Sequence, residues 1–427
     1  MHPLVCYAAS CSLYALVLYI HHRRSLTMST FIPSPDDDDD DDIMITLLLL
    51  AMCYPPVNRT PSFRESLTVD EVRRRSGKIR CHALQHPLSS PFWTLFNSKH
   101  DDALITLCGF DHASFELLHQ LFKPCFHSFT PCRKNTDFIV RNSTTKKGRQ
   151  RYLCSISCLA LGLAWTRTRG SYMILQIIFG LTHGSLSVWL RFSRRMIVKV
   201  LLTHEDAVVR LPTADEATLF ATMINQKYPL ITNCWGAMDG LKLTLQRAGN
   251  ETQQNNFYNG WTHEHYVTNL FLFSPDGKIR CSFFNAPGVL HDSTMAIWSS
   301  IYDQIETVYR DTGKKVVVDS AFASKKSNAM LKSHQNNVDA NGNPRQRFGM
   351  NRQATSIRQL SEWGMRCLQG SFPRIKDKFR YEEKGERKLI LQMIVLLYNF
   401  RASKVGQNQI ASVYMPYLHR NANRYAM

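Results

Sequence analysis

The sequence predicts an α/β fold: a mixed five-stranded sheet flanked by helices, preceded by a helical segment and an irregular amino-terminal tail. Three observations carry this expectation. Residues 266–273 and 278–284 are rich in β-branched and aromatic residues, and Ser274-Pro275-Asp276-Gly277 between them is a turn, which together make a hairpin signal. Leu241-Lys242-Leu243-Thr244-Leu245 alternates apolar and polar residues, and Lys315-Val316-Val317-Val318 is a short continuous apolar run, as expected of a half-buried and a fully buried strand. Helical spacing interleaves with these strands. It is carried by Met295, Trp298, Ile301 and Ile305 around residues 293–304, then by residues 354–368 and 383–400. The resulting order is β-β-β-α-β-α.

Ahead of this region the texture differs. Residues 1–100 hold no lasting periodicity and are punctuated by Pro55-Pro56, Pro61, Pro87 and Pro91, so they are expected to be irregular. Residues 101–230 read as a helical domain. Its first clear helix follows Ser114, a suitable N-cap, and is expected to close at Pro124. Within residues 152–202 three helical runs are broken by Gly170 and Gly180, and the last carries Arg191, Arg194 and Arg195. Helix, short glycine-containing turn, then a basic helix resembles a helix-turn-helix. The competing reading is an ordinary bundle with Trp189, Phe192 and Ile197 in its core. Residues 231–415 form the third segment, with the sheet.

Charge narrows the partner. The chain of 427 residues has 52 Lys+Arg against 34 Asp+Glu, a net charge of +18. Residues 1–42 contain two of those bases and seven of those acids, the run Asp36 to Asp42, so residues 43–427 carry a net +23. A polyanion such as DNA is the natural partner. Hydrophobic content of 44% excludes general disorder. The 12 cysteines include no Cys-x-x-Cys pair, and they read as scattered thiols of a reducing compartment. Residues 4–20 are largely apolar and are followed by His21-His22-Arg23-Arg24. This is near the lower length limit for a membrane span, so a membrane anchor is the alternative to a nuclear location.

Three acids stand in separate short motifs: Asp239 in Trp-Gly-Ala-Met-Asp-Gly, Asp319 in Val-Val-Val-Asp-Ser-Ala-Phe, and Glu362 in Gln-Leu-Ser-Glu-Trp-Gly-Met. The first two are placed at the ends of strand-like runs and the third on a helix. This is the ribonuclease H-like order, in which strand ends and a helix bring carboxylates together. Carboxylates in this layout suit Mg²⁺ or Mn²⁺, and a two-ion site suits phosphodiester chemistry. His291-Asp292-Ser293 precedes a helix, so Asp292 is expected to cap it or to support the site from outside, with ligation as the lesser alternative. His263 and His265 are read as loop residues.

These residues resemble the DDE transposases of the PIF/Harbinger superfamily and the nucleases derived from them. The matching motifs are Met238-Asp239-Gly240, Pro287-Gly288-Val289-Leu290-His291-Asp292-Ser293, Asp319-Ser320-Ala321-Phe322, and Glu362-Trp363-Gly364-Met365 continuing to Gly370-Ser371-Phe372-Pro373-Arg374. The resemblance covers roughly residues 100–415, and it is the combination, in this order, that is specific. It implies a metal-dependent endonuclease whose triad is Asp239, Asp319 and Glu362, with two divalent ions. It also implies DNA as partner and a separate Myb-like DNA-binding protein; a homodimer is held open. The sequence departs from the family where His often follows the Asp-Gly: here Leu241-Lys242 follows Gly240. Lys242 is therefore expected at phosphate, as are Lys146, Lys147, Arg149, Arg151, Arg191, Arg194, Arg195 and the stretch 374–380. The alternative is a transposase-derived DNA-binding protein without activity.

Overall fold

The structure is a computed structural model. It describes residues 79–131, 138–140, 151–246, 254–260, 262–322, 328–332, 344–380, 384–405 and 408–415. All of these fall in one compact unit, Arg75–Met427. The expectations for residues 4–20, the Asp run, Lys146, Lys147 and Arg149 lie outside the described residues.

The helical part comes first. Helix α1 (Pro91–Asn97) starts on a proline at its first position, where no amide hydrogen is needed. It puts Phe92 and Phe96 into the core, so structure begins before the expected boundary at residue 100. After α2 (Asp101–Cys108) comes α3 (His112–Ser128). Asp111, not Ser114, caps α3 by accepting from the Ser114 N–H at 2.7 Å. The helix also runs past Pro124 for another turn: proline removes one donor, and the packing of Phe122 and Phe126 on either side outweighs that loss. A two-stranded ribbon, β1 (Phe129–Pro131) with β2 (Phe138–Val140), follows.

Next come α4 (Ser155–Arg167), α5 (Met173–Phe179) and α6 (His183–Leu201). Residues 157–166 of α4 are buried all round, so it is the central helix of this part. The α5–α6 pair meets at 86°, close to the lower end of the helix-turn-helix range. Yet α6 buries nine residues, from Leu186 to Leu201. It is a core helix, and Trp189, Phe192 and Ile197 lie where the bundle alternative puts them. Among the described residues no single helix is long and apolar enough to cross a membrane.

Helix α7 (Ala214–Lys227) opens on a capping box between Thr213 and Glu216. The sheet follows: β3 (Cys234–Thr244), β4 (Tyr258–Asn259), β5 (Glu264–Phe273), β6 (Ile279–Pro287), then α8 (Asp292–Trp298), α9 (Ile301–Thr312), β7 (Lys315–Val318) and β8 (Met330–Lys332). Helices α10 (Pro344–Ser371), α11 (Lys384–Lys404) and α12 (Gln409–Tyr414) complete the chain. The five principal strands lie in the order β6-β5-β3-β7-β8, with the two-residue β4 joined to the start of β5. Strands β6, β5 and β3 are antiparallel, and β3, β7 and β8 are parallel. This is a ribonuclease H-like mixed sheet flanked by helices.

Three further elements differ from expectation. The single helix expected over 293–304 is two, because Ser300 takes a left-handed conformation with φ 52° and breaks it; Trp298 is consequently exposed. Helix α10 begins at Pro344, ten residues earlier than its apolar spacing shows, because its first turns are polar. Strand β8 has only three residues and gives no periodic signal.

Each sheet face has its own apolar core. Ala237, Leu241, Phe271, Phe273 and Val317 pack with residues of α10 and α11 and with the helical part. Trp235, Met238, Leu270, Leu272, Val316 and Val318 pack with α7, α8 and α9. The first core runs from Phe92 to Tyr414. The change of texture near residue 230 therefore lies within one shared core.

Candidate acidic site

Asp239 sits in the middle of β3, not at a strand end. Residues 234–238 are buried on both faces and so do not alternate, which is why the sequence showed only the later half of the strand. The parallel ladder between β3 and β7 ends at the pair Met238↔Val318. Asp239 and Asp319 are therefore the next residues in step on neighbouring strands, and adjacent strands lie about 4.8 Å apart. Asp319, just past the end of β7, turns its Oδ1 back to accept from the Ser320 N–H at 2.6 Å and the Ser320 hydroxyl at 3.3 Å.

Glu362 comes from α10, and the position of that helix is set by sterics. A Cβ at Gly364 would lie 2.5 Å from two carbons of the Phe273 ring. Only glycine lets α10 approach β5 this closely, and Glu362 is two residues away on the same turn. One guanidinium joins the acids: Arg358 Nη1 donates to Asp319 Oδ1 at 3.1 Å, and Arg358 Nη2 lies 3.6 Å from Glu362 Oε1. Asp239 feels the same group, which draws its pKa down. Asp319 and Glu362 thus share one arginine, and Asp239 lies within its electrostatic reach.

Burial dominates the chemistry of Asp239. It pushes the carboxyl up to about 6, and repulsion from Asp319 and Asp292 adds to this, while the Gly240 N–H and Arg358 oppose it. Asp292 is the fourth acid. It is the first residue of α8 and not its cap; that position belongs to His291, which is exposed and makes no side-chain cap. The Asp292 Oδ1 would lie 3.3 Å from a Cβ at Gly240. It thus faces the strand position next to Asp239, on the opposite face of β3. Burial raises the Asp292 pKa, Lys242 draws it down, and Asp319 raises it further.

Two cations missed by the sequence reading belong here. Arg358 stands four residues before Glu362, the helical spacing of an ion pair, and that spacing was the available signal. Lys332 on β8 donates to the Ser320 carbonyl at 3.3 Å, and burial lowers its pKa while Asp319 raises it. Nothing in the sequence marks Lys332, because β8 itself is unreadable.

The donor set is all carboxylate, the hard oxygen chemistry that Mg²⁺ and Mn²⁺ take. Among the described residues no three His, Cys, Asp or Glu side chains are arranged to share an ion; Arg358 stands between two of the acids.

The expected phosphate contacts divide. Lys242 is exposed, beside the site, with its ammonium 4.9 Å from the centre of the Tyr266 ring. Arg194 and Arg195 are instead committed to Glu386 of α11, at 3.2 and 2.6 Å. Arg194 also lies over the Trp165 ring. Both pin α6 to α11 and are corrected to structural roles. Arg151 is corrected likewise: its guanidinium caps the end of α3, donating to the carbonyls of Phe126, His127 and Phe129. In the 374–380 stretch, Arg374 donates to the Thr168 and Gly170 carbonyls and pairs with Asp377. Arg191 is half-buried on α6.

Residues 238–399 match the family described as DDE superfamily endonuclease. The matched stretch begins one residue before Asp239 and ends within α11, so it contains all three acids. No curated protein and no solved structure matches the chain. The match supports a nuclease-type domain on this ribonuclease H-like sheet.

Proposed function

We propose that the chain is a metal-dependent DNA endonuclease of transposase type, of PIF/Harbinger kind by its motifs, acting through Asp239, Asp319 and Glu362. The observation that supports this most is that Asp319 and Glu362 share Arg358, with Asp239 in the strand position beside Asp319, inside the stretch that matches an endonuclease family. Asp239 on β3 and Asp319 just past the end of the adjacent parallel strand β7 would hold the ions. Glu362 is more exposed, on the rim of α10, and would complete the set and orient the attacking water. Two divalent ions, when bound, supply Lewis-acid stabilisation of the attacking and leaving oxygens. Lys242 on β3, and more distant basic residues, would hold the phosphate backbone. Cleavage in this manner leaves a 3′-hydroxyl, the nucleophile for strand transfer in a complete transposase.

The test is plasmid nicking by the purified chain with Mg²⁺ or Mn²⁺. Asp239→Asn is expected to reduce cleavage by at least about a thousandfold without unfolding the protein, since a neutral amide is a poor ligand for a hard dication. Full activity of that variant would remove the acid site from the chemistry. DNA binding without any cleavage by the wild type would return the reading to an inactive, transposase-derived DNA-binding protein.

A further inference from the structure

We propose that Arg358 is the built-in counter-cation of the acidic site: it occupies the carboxylates that the metal ions need, and yields them when its guanidinium transfers to a DNA phosphate. Metal loading and DNA binding are thereby coupled through one side chain. This rests on the reading of the acids as a metal site.

Four carboxylates, Asp239, Asp292, Asp319 and Glu362, lie within mutual electrostatic reach or share Arg358 as a partner. Their repulsion needs a positive charge nearby. Arg358 supplies it by spanning Asp319 and Glu362. Oxygens held by a guanidinium cannot at the same time be donated fully to a cation. Asp319 Oδ1 is one such atom, at 3.1 Å.

Arg358 also differs from the structural arginines of this fold. Arg151 is held by three backbone carbonyls. Arg387 is held by the Asn285 side chain and the Arg380 carbonyl. Among the described residues the Arg358 side chain has only the two carboxylates as ion-pair or hydrogen-bond partners, and its buried Nε has none. Once ions take the carboxylates, no other described side chain holds the guanidinium by a hydrogen bond or ion pair. Its side chain is 22% exposed, so the head group has a route to solvent. A phosphate oxygen pair is the polyanion partner that matches its planar fork.

The experiment titrates the full chain with Mn²⁺ and reads the free ion by its aqueous EPR signal, with no cleavage required. Arg358→Gln is expected to tighten Mn²⁺ binding in the absence of DNA by about tenfold, the scale of one charge-assisted contact. Arg358→Lys keeps the charge without the fork and is expected between the two. It also serves if the glutamine variant does not fold. Asp239→Asn is expected to weaken binding. Adding duplex DNA of arbitrary sequence should tighten Mn²⁺ binding by the wild type, measured against the Asp239→Asn chain with the same DNA, and do so much less for Arg358→Gln. If Asp239→Asn weakens Mn²⁺ binding but neither Arg358 variant tightens it, the counter-cation role is wrong and the metal site stands. If Asp239→Asn leaves Mn²⁺ binding unchanged, the metal site itself is wrong.

Discussion

Asp239→Asn should stabilise the metal-free protein at neutral pH, and by an amount that the site itself sets. Asp239 has its pKa pushed to about 6, from 3.8 for a free aspartate, chiefly by burial. The folded state therefore holds this proton more tightly than the unfolded chain. Below pH 3.8 both states are protonated and the group costs nothing. Between 3.8 and 6 the unfolded chain ionises first, and stability falls as pH rises. Above about 6 the full cost remains. A pKa difference of about 2 corresponds to ~3 kcal/mol. Asparagine cannot ionise, keeps the shape, and can still accept from the Gly240 N–H that Asp239 takes at 2.7 Å. The measurement is the melting temperature of both chains in EDTA at pH 4, 5, 6 and 7.5. Groups remote from Asp239 titrate equally in the two proteins and cancel in the difference, while Asp292 and Asp319 lose the repulsion of its charge in the variant, which adds to the variant's advantage. The variant's advantage should grow by ~3 kcal/mol across this range, or roughly 5 °C for a unit of this size. A difference that stays flat with pH would refute the claim that Asp239 is held ionised against its surroundings. A growing difference in EDTA that reverses on adding Mn²⁺ would show the same carboxylate serving the ion.

Two further perturbations test the frame that holds the acids. Gly364→Ala places a methyl 2.5 Å from the Phe273 ring and should cost about 1–3 kcal/mol by overpacking; Phe273→Leu in the same chain should recover part of the lost melting temperature, and an additive loss would contradict the contact. Glu386→Gln leaves Arg194, whose side chain is 12% exposed, and Arg195 without their carboxylate. It should destabilise the fold by about 2–3 kcal/mol, with the DNA affinity of the folded protein unchanged; a drop in affinity without a drop in stability would return those arginines to the DNA surface.

The legibility of this chain follows its periodicity. The hairpin of β5 and β6, the apolar β7 and the long α11 were readable because each keeps one pattern over its length and is bounded by turn residues. Strand β3 was half legible: Leu241 to Leu245 alternates, but the doubly buried residues before Asp239 do not, and so the acid was placed at an end. Ser300, in a left-handed conformation without glycine, could not be foreseen. It splits a helix whose apolar spacing, through Met295 and Ile301, is continuous. The first turns of α10 look like a loop because their residues are mostly polar and carry no apolar period. Arginines were the least legible residues. Charge in a sequence says nothing of which guanidinium meets a carbonyl, a glutamate or solvent, and Arg151, Arg194, Arg195 and Arg374, all assigned to DNA, contact protein partners that only tertiary structure supplies.

The acid motifs are longer than their acids because the glycines beside the acids set how closely other elements approach. Glu362 is followed by Trp363-Gly364, and Asp239 by Gly240, and the glycines meet different neighbours. Gly364 removes a collision that would lift α10 from the sheet. Gly240 leaves room for the Asp292 carboxylate against β3, where a Cβ would stand 3.3 Å from it. Without the first, Glu362 would withdraw from the pair of strands. Without the second, Asp292 would be pushed out, and one of the charges that raises the Asp239 pKa would leave with it. An acid and the glycine beside it are therefore one unit: the carboxylate supplies the charge, and the missing side chain sets how close another element can bring its own.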